Sequence, residues 1–206
     1  MTAAPSRTRD QEESAFTIIL THLVKRIPGA FAATIVDEIG ECVDYAGDIE
    51  PFDVKVAGAH WAIVIDEIAQ RPAIGPPQTI ICRGEKRSFV VRTLPDRYAL
   101  VVLLKKRAGF SSTRAFDACE RALAHEAAWV LPKGRGVWIA VDVEQDERKR
   151  PVWLTMGALS CPVEVLGTLT RLKKRERGFR VRLPSGGELN LVREVGDHWY
   201  ADEKLG

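Results

Sequence analysis

One stretch of this 206-residue chain restricts the fold more than any other, because it predicts a helix that is apolar around most of its circumference. Pro51 suits the first turn of a helix, and the pattern predicts one over about residues 51–71. Between Val56 and Ile65 the only polar residue is His60. Such a helix cannot rest on a core with its other side in water. Either the helix is sandwiched inside one domain, or its second apolar face contacts a partner. The small size of the domain favours the partner. The first face is formed by Val54, Ala57, Trp61, Val64, Ile65 and Ile68, and the second by Val56, Ala59 and Ile63.

The elements around this helix predict a layered domain. Apolar residues at spacings of three and four predict a helix over about residues 13–27, and Gly40 marks the turn of a hairpin with strands at 31–37 and 42–46. Three strands follow at 78–82, 87–93 and 98–105, and Ser111 or Ser112 is suited to cap a closing helix that reaches about residue 130. The order α-β-β-α-β-β-β-α predicts a three-layer α/β sandwich, in which a five-stranded antiparallel sheet carries helices on both faces.

The remainder of the chain has a different pattern. After Pro132-Lys133-Gly134, strands are predicted at 137–143, 152–154, 163–172, 179–183, 188–192 and 199–201, with no helix. We expect a small all-β module, either a separate barrel or an extension leaning on the first domain. The predicted organisation is a disordered tail over residues 1–12, a domain over 13–130 and the β module over 131–206.

Composition excludes several classes of protein. No apolar run approaches the ~20 residues that span a bilayer, so no transmembrane segment is predicted, and the first residues lack the apolar core of a signal peptide. The four cysteines contain no CxxC pair. Their separation favours reduced structural thiols, and a cytoplasmic protein is expected.

The residues that commonly perform catalysis do not form a recognisable pattern. The four histidines never occur at HxxxH or HExxH spacing, and GxSxG, P-loop and GxGxxG motifs are absent from the sequence. Carboxylates such as Asp37 and Glu38, or Asp66 and Glu67, are adjacent in sequence and therefore point in different directions. We predict no enzyme active site, no metal and no cofactor, with His60 as an interface or core histidine.

Positive charge is concentrated in one segment of a chain whose net charge is only +2. Seven basic residues stand against Glu176 alone, and they are Arg171, Lys173, Lys174, Arg175, Arg177, Arg180 and Arg182. On strands, Arg171 and Lys173 are predicted to share a face, as are Arg180 and Arg182. The cluster is either a solvated hairpin that blunts a sheet edge or a docking site for an acidic protein or polyanion. Nucleic acid is not expected as a partner, because few stacking aromatics accompany the cluster.

Two segments of the first domain resemble a known family. The segment IPGAFAATIVDEIGECVDYAG (27–47) and the segment LPDRYALVVLLKKRAGFSSTRAF (94–116) resemble the hairpin and the last strand of Roadblock domains, with Arg114 in the first turn of the closing helix. This family includes the Roadblock light chains of dynein and bacterial MglB-like proteins. The resemblance covers about residues 13–130, and residues 131–206 lie outside it.

The resemblance implies a homodimer. In this family the second helices of two protomers pack together, and their third strands pair edge to edge. Transferred to this sequence, the helix face would comprise Val56, Ala59, His60, Ile63 and Glu67. The pairing edge would comprise Thr79, Ile80, Ile81 and Cys82.

The resemblance also implies a function. It suggests a non-enzymatic, homodimeric scaffold or regulator of a small Ras-like GTPase in a bacterial-type signalling or polarity system, since MglB-like dimers stimulate GTP hydrolysis without supplying an arginine. A second interpretation is a binding module whose basic β unit docks an acidic protein or polyanion, while the first domain only dimerises. A third is a sensor of profilin-like or PAS-like shape, which would need a ligand-sized internal cavity.

Overall fold

A computed structural model describes residues 9–108 and 112–202, which divide into two compact units. The first unit contains residues 9–108 and 122–130, and the second contains residues 112–121 and 131–202. The predicted division differs in residues 112–121, which group with the second unit. Among the described residues, no helix has the length and apolar character needed to cross a membrane.

The first unit has the predicted order of elements. They are α1 (Ala15–Arg26), β1 (Ala30–Val36), β2 (Cys42–Gly47), α2 (Pro51–Ala69), β3 (Thr79–Arg83), β4 (Arg87–Thr93), a 3₁₀ turn (Pro95–Arg97), β5 (Ala99–Lys105) and α3 (Thr113–Glu126), whose residues divide between the two units. The five strands form one antiparallel sheet in the order β2-β1-β5-β4-β3. The strand predicted over 98–105 is β5, the central strand of the sheet, which pairs on both sides and is buried in all but its last residue.

Helices α1 and α2 lie on opposite faces of this sheet. Val36 of β1 lies against α2 at Gly58, whereas Asp44 of β2 binds Thr17 of α1. Asp44 is paired in register with Ile35, the neighbour of Val36, and successive strand residues point to opposite faces. The predicted three-layer arrangement is therefore confirmed.

Helix α2 approaches the sheet most closely at a glycine, Gly58. The buried stripe is Val54, Gly58 and Ala62, at intervals of four residues. A Cβ atom added at Gly58 would lie 2.4 Å from Cγ1 of Val36. The predicted core face placed larger residues at its centre, and of these Trp61 is only half-buried. Trp61 and Ile65 nevertheless pack, half-buried, against the same core.

The N-terminus of α1 is fixed by a network around one buried carboxylate. Ser14 caps the helix, and its hydroxyl donates to Asp44 at 2.5 Å, while the Thr17 hydroxyl donates to the same carboxylate at 2.8 Å. Arg9 also binds Asp44 and donates to the carbonyl of Tyr45. Burial by itself would raise the pKa of Asp44, but these hydrogen bonds outweigh burial and lower the pKa.

Part of the predicted tail takes part in this network. Asp10 accepts hydrogen bonds from the Tyr45 hydroxyl at 2.8 Å and from Nζ of Lys55 at 2.7 Å. Residues 9 and 10 therefore lie along β2, which is one edge of the sheet. Residues 11 and 12 of the predicted tail are also described, and residues 1–8 lie outside the described residues.

The second unit is built from seven strands. They are β6 (Trp138–Gln145), β7 (Pro151–Met156), β8 (Leu159–Pro162), β9 (Glu164–Thr168), β10 (Arg177–Arg182), β11 (Glu188–Arg193) and β12 (Trp199–Asp202). Their order in one antiparallel sheet is β8-β7-β6-β12-β11-β10-β9. The predicted strand over 163–172 is wrong in its second half, because β9 ends at Thr168 and Arg171 has a left-handed backbone with φ of 62°. Strand β8 was not predicted.

This seven-stranded sheet curls around a core of its own. The strands at the two ends of the sheet are β8, which ends at Pro162, and β9, which begins at Glu164. Only Val163 separates them, so the two ends of the sheet come together at this residue. Leu154, Val181 and Leu191 lie in the enclosed core and are fully buried. The unit thus has the curled sheet that the barrel alternative predicts.

Replacing Gly58 by Ala tests the close approach of α2. We expect a loss of about 1–2 kcal/mol in the free energy of unfolding, because the overpacked contact with Val36 outweighs the gain in helix propensity. Chemical denaturation measures the change. Gly167→Ala is the control, since the space around Gly167 is open, and equal losses in both variants would contradict the contact.

Replacing Asp44 by Asn tests the network at the start of α1. The variant should lose about 2 kcal/mol of unfolding free energy at pH 7, because charged hydrogen bonds are lost. A lowered pKa stabilises the fold above the unfolded value of about 4, and this contribution is lost as the pH falls through the folded pKa. The variant should therefore lose less stability than the parent between about pH 5 and about pH 2. Asp142→Asn, at an exposed site, should behave as the parent, and an unchanged acid profile in Asp44→Asn would refute the role of Asp44.

Candidate protein-interaction surface

Apolar side chains are exposed on the side of α2 that faces away from the sheet. Ile63 is 57% exposed and Phe52 is 74% exposed. At 100° per residue, both lie on the side of the helix opposite the buried Val54-Gly58-Ala62 stripe. Of the other predicted interface residues, His60 and Glu67 are exposed and Val56 and Ala59 are half-buried. All five positions share one side of the helix, but Ala59 lies against Gly40 of the hairpin turn, so the open part of this side is formed by the other four.

Strand β3 forms an open edge of the first sheet. It pairs with β4, and within the described residues it has no second neighbouring strand. Thr79 and Ile81 are exposed, Ile81 by 53%, whereas Ile80 and Cys82 are half-buried. The opposite edge, β2, differs because Arg9 donates to its backbone at Tyr45. Unpaired backbone groups on an edge are available to another strand.

A groove connects the outer side of α2 with the strands next to this edge. Its volume is about 440 Å³, and its walls include Val56, His60 and Trp61 from α2 and Arg87 and Phe89 from β4. The rings of Trp61 and Phe89 lie 5.5 Å apart, in tilted contact. The groove was not predicted from the sequence, in which Trp61 was assigned to the core face. Trp61 does pack, half-buried, against the core, and it also lines the groove.

The basic cluster of the second unit is divided by the structure. Arg180 and Arg182 lie on β10 and both bind Glu188 on β11, at 2.6 Å and 2.9 Å, and Arg182 also lies 3.5 Å from Glu164. These hydrogen bonds lower the pKa of Glu188. Much of the charge predicted for this strand is therefore neutralised within the sheet.

The other basic residues of the cluster lie mainly outside the strands. Arg171, Lys173, Lys174 and Arg175 occupy the exposed loop between β9 and β10, and Arg177 is the first residue of β10. The prediction that Arg171 and Lys173 share a strand face is wrong, because β9 ends before them. Four of the seven basic residues of the cluster therefore lie in this loop and not on a strand.

The chemistry of the described surface favours binding. Across residues 9–108 and 112–202, no group of three or more His, Cys, Asp or Glu side chains is arranged to hold a metal ion. The outward face of α2, the β3 edge and the groove between them combine exposed apolar area with an unpaired strand edge. This combination is typical of a surface that another protein covers.

Known structures share the fold of the first unit. No protein-family model matches the sequence, and no curated protein matches it. MglB of Myxococcus xanthus is 18% identical, with a TM-score of 0.50, and the match covers 57% of this chain and 98% of that one. The gliding protein mglB of Thermus thermophilus is 16% identical with a TM-score of 0.48, covering 55% of this chain and 89% of that one. A Roadblock/LC7 domain from Streptomyces avermitilis is 15% identical with a TM-score of 0.41, covering 53% and 88%.

These identities show the fold alone, and the conclusion rests on the M. xanthus protein, which has the highest TM-score of the three. The chain contains a Roadblock/MglB-like fold, as its sequence predicted. The match covers little more than half of this chain, so the remainder has no counterpart in that structure.

Proposed function

We propose that this chain, which contains a Roadblock/MglB-like fold, is a non-enzymatic homodimer that acts as a scaffold or regulator of a small Ras-like GTPase in the cytoplasm. The observation that carries the proposal is the apolar outward face of α2 next to the open β3 edge. A second copy of the chain supplies the same two features. A two-fold arrangement therefore covers both at once, because each surface meets its own counterpart.

The dimer explains why α2 is apolar on the side that faces away from its own sheet. Burying apolar surface yields about 25 cal/mol per Å², and exposed Ile63 and Phe52 supply such surface along the helix. Val56, Ala59, His60, Ile63 and Glu67 are proposed to contact the second copy. Thr79, Ile80, Ile81 and Cys82 are proposed to pair with its β3, which extends two five-stranded sheets into one.

The GTPase role is supported by the sequence resemblance to Roadblock domains together with the fold. In this proposal the chain contributes a platform and no catalytic residue. Its effect on a GTPase arises from contacts that differ between the GTP-bound and GDP-bound forms, since only differential binding shifts a conformational equilibrium.

Replacing Ile63 by Asp tests the dimer. A buried, unpaired carboxylate costs several kcal/mol, so we expect the dimer dissociation constant to rise at least ~100-fold. The protomer itself should stay folded, because Ile63 is 57% exposed in it. Analytical ultracentrifugation measures association, and circular dichroism checks folding.

The matched control is Ile18→Asp. Ile18 is 56% exposed, almost as much as Ile63, but it lies on α1 on the other side of the sheet. This variant should dimerise as the parent does. If Ile63→Asp remains a dimer, the interface lies elsewhere.

Nucleotide-dependent binding tests the GTPase role. The parent, Ile63→Asp and Ile18→Asp are mixed with Ras-like GTPases encoded near this chain, each loaded with GTP or GDP. Binding and single-turnover hydrolysis are then measured. We expect the parent and Ile18→Asp to prefer one nucleotide state or to change the hydrolysis rate, and Ile63→Asp to lose the effect. Equal binding to both states with unchanged hydrolysis would contradict the role while leaving the dimer intact.

A further inference from the structure

The first unit contains a second cavity, at the C-terminal end of α2. Its volume is about 390 Å³, which lies within the range of ligand-binding pockets. Its walls are mainly apolar and include Ile65 and Ala69 from α2, Pro77 from the following loop, and Leu94 and Tyr98 on either side of the 3₁₀ turn. An aliphatic or aromatic side chain of ordinary size fits such a space.

The mouth of this cavity is acidic. Asp37, Glu38 and Asp66 line it, and none of the residues proposed for the dimer contact does. Among the described residues, the only basic one in the lining is Arg97. The carboxylate of Asp37 accepts the amides of Ile39 and Glu41 at 3.1 Å and 2.8 Å, so it belongs to the hairpin turn. A cationic group is therefore attracted to this mouth and an anionic group is repelled.

Arg97 shows how a guanidinium is held at this mouth. It lies 2.7 Å from the carboxylate of Glu38 and 3.5 Å from that of Asp66, so it bridges the β1–β2 turn and α2. Its side chain is 70% exposed. Ion pairs in such exposed positions contribute between about 0 and 1 kcal/mol. A guanidinium or ammonium group from another protein is thus able to replace Arg97 at small cost.

We propose that this cavity is the docking site of a partner protein that inserts a bulky apolar side chain between α2 and the 3₁₀ turn. An Arg or Lys next to that side chain binds Glu38 and Asp66 in place of Arg97. Apolar walls and an acidic mouth together select a partner segment that is apolar and basic. The site lies within one protomer, so it does not depend on the proposed dimer or on the GTPase.

Selection from random peptides tests the chemistry of the partner. Phage-displayed heptapeptides are selected on the full chain and, in parallel, on the double variant Glu38→Gln with Asp66→Asn. We expect the parent to enrich peptides in which Leu, Ile or Phe stands beside Arg or Lys, and the double variant to lose this enrichment. Enrichment of the same peptides by both proteins, or of peptides without a basic residue, would overturn the proposal.

Affinities for one selected peptide then test the geometry, by fluorescence anisotropy. Asp66→Asn should weaken binding about tenfold, since a charged hydrogen bond is lost. Ala69→Leu should also weaken it, because the added carbons occupy the cavity. Arg97→Ala should strengthen binding, because the internal competitor is removed, and this gain is not expected if Arg97 has only a structural role. Weaker binding by Arg97→Ala would contradict the proposed exchange.

Two controls keep the result specific. Asp53→Asn removes a carboxylate at the other end of α2 and should leave the affinity unchanged, and thermal unfolding followed by circular dichroism confirms that each variant is folded. Leucinamide, a small amine with an apolar side chain, tests the alternative occupant. If it binds as tightly as the peptide, the cavity belongs to a small molecule and the proposed protein partner is excluded.

Discussion

The close contact between Gly58 of α2 and Val36 of β1 fixes which side of α2 faces the sheet, and therefore which side stays exposed. A Cβ atom at Gly58 would lie 2.4 Å from Val36, so the helix is held closer to the sheet than bulky residues permit. The stripe that faces the sheet is Val54, Gly58 and Ala62, and at 100° per residue Ile63 and Phe52 lie on the opposite side of the helix. An ordinary amphipathic helix carries polar residues on that side. Here the outward positions include exposed Ile63 and Phe52, which form the apolar face on which the proposed dimer depends.

The two edges of the first sheet have different neighbours. Residues 9 and 10 lie along β2, held by Asp44 and Tyr45, whereas β3 has no second strand beside it in the described residues. Ile80 of β3 packs on the same core as α2. A strand added at β3 would therefore lie near α2 and near the groove that Trp61 and Phe89 line.

The sequence was sufficient where local signals were strong. Gly40 marked the turn of the hairpin, Pro51 marked the start of α2, and the strand pattern over 98–105 located β5. The elements that were missed depend on distant residues. Strand β8 is short and largely exposed, so its pattern does not alternate, and the chain after Thr168 leaves the sheet because of backbone conformation. The ion pairs of Arg180 and Arg182 depend on which residues of neighbouring strands lie opposite each other. The cavity at Tyr98 is lined by α2 and by two loops that are distant in sequence. The periodicity of the sequence reveals neither feature.

The central claim is that a second copy of the chain covers the outward face of α2, and sedimentation equilibrium of the unmodified protein tests it most directly. The account predicts a mass twice that of the 22.9 kDa chain at micromolar concentration. A single species with the mass of one chain at that concentration would contradict it, and the apolar face of α2 would then need another explanation.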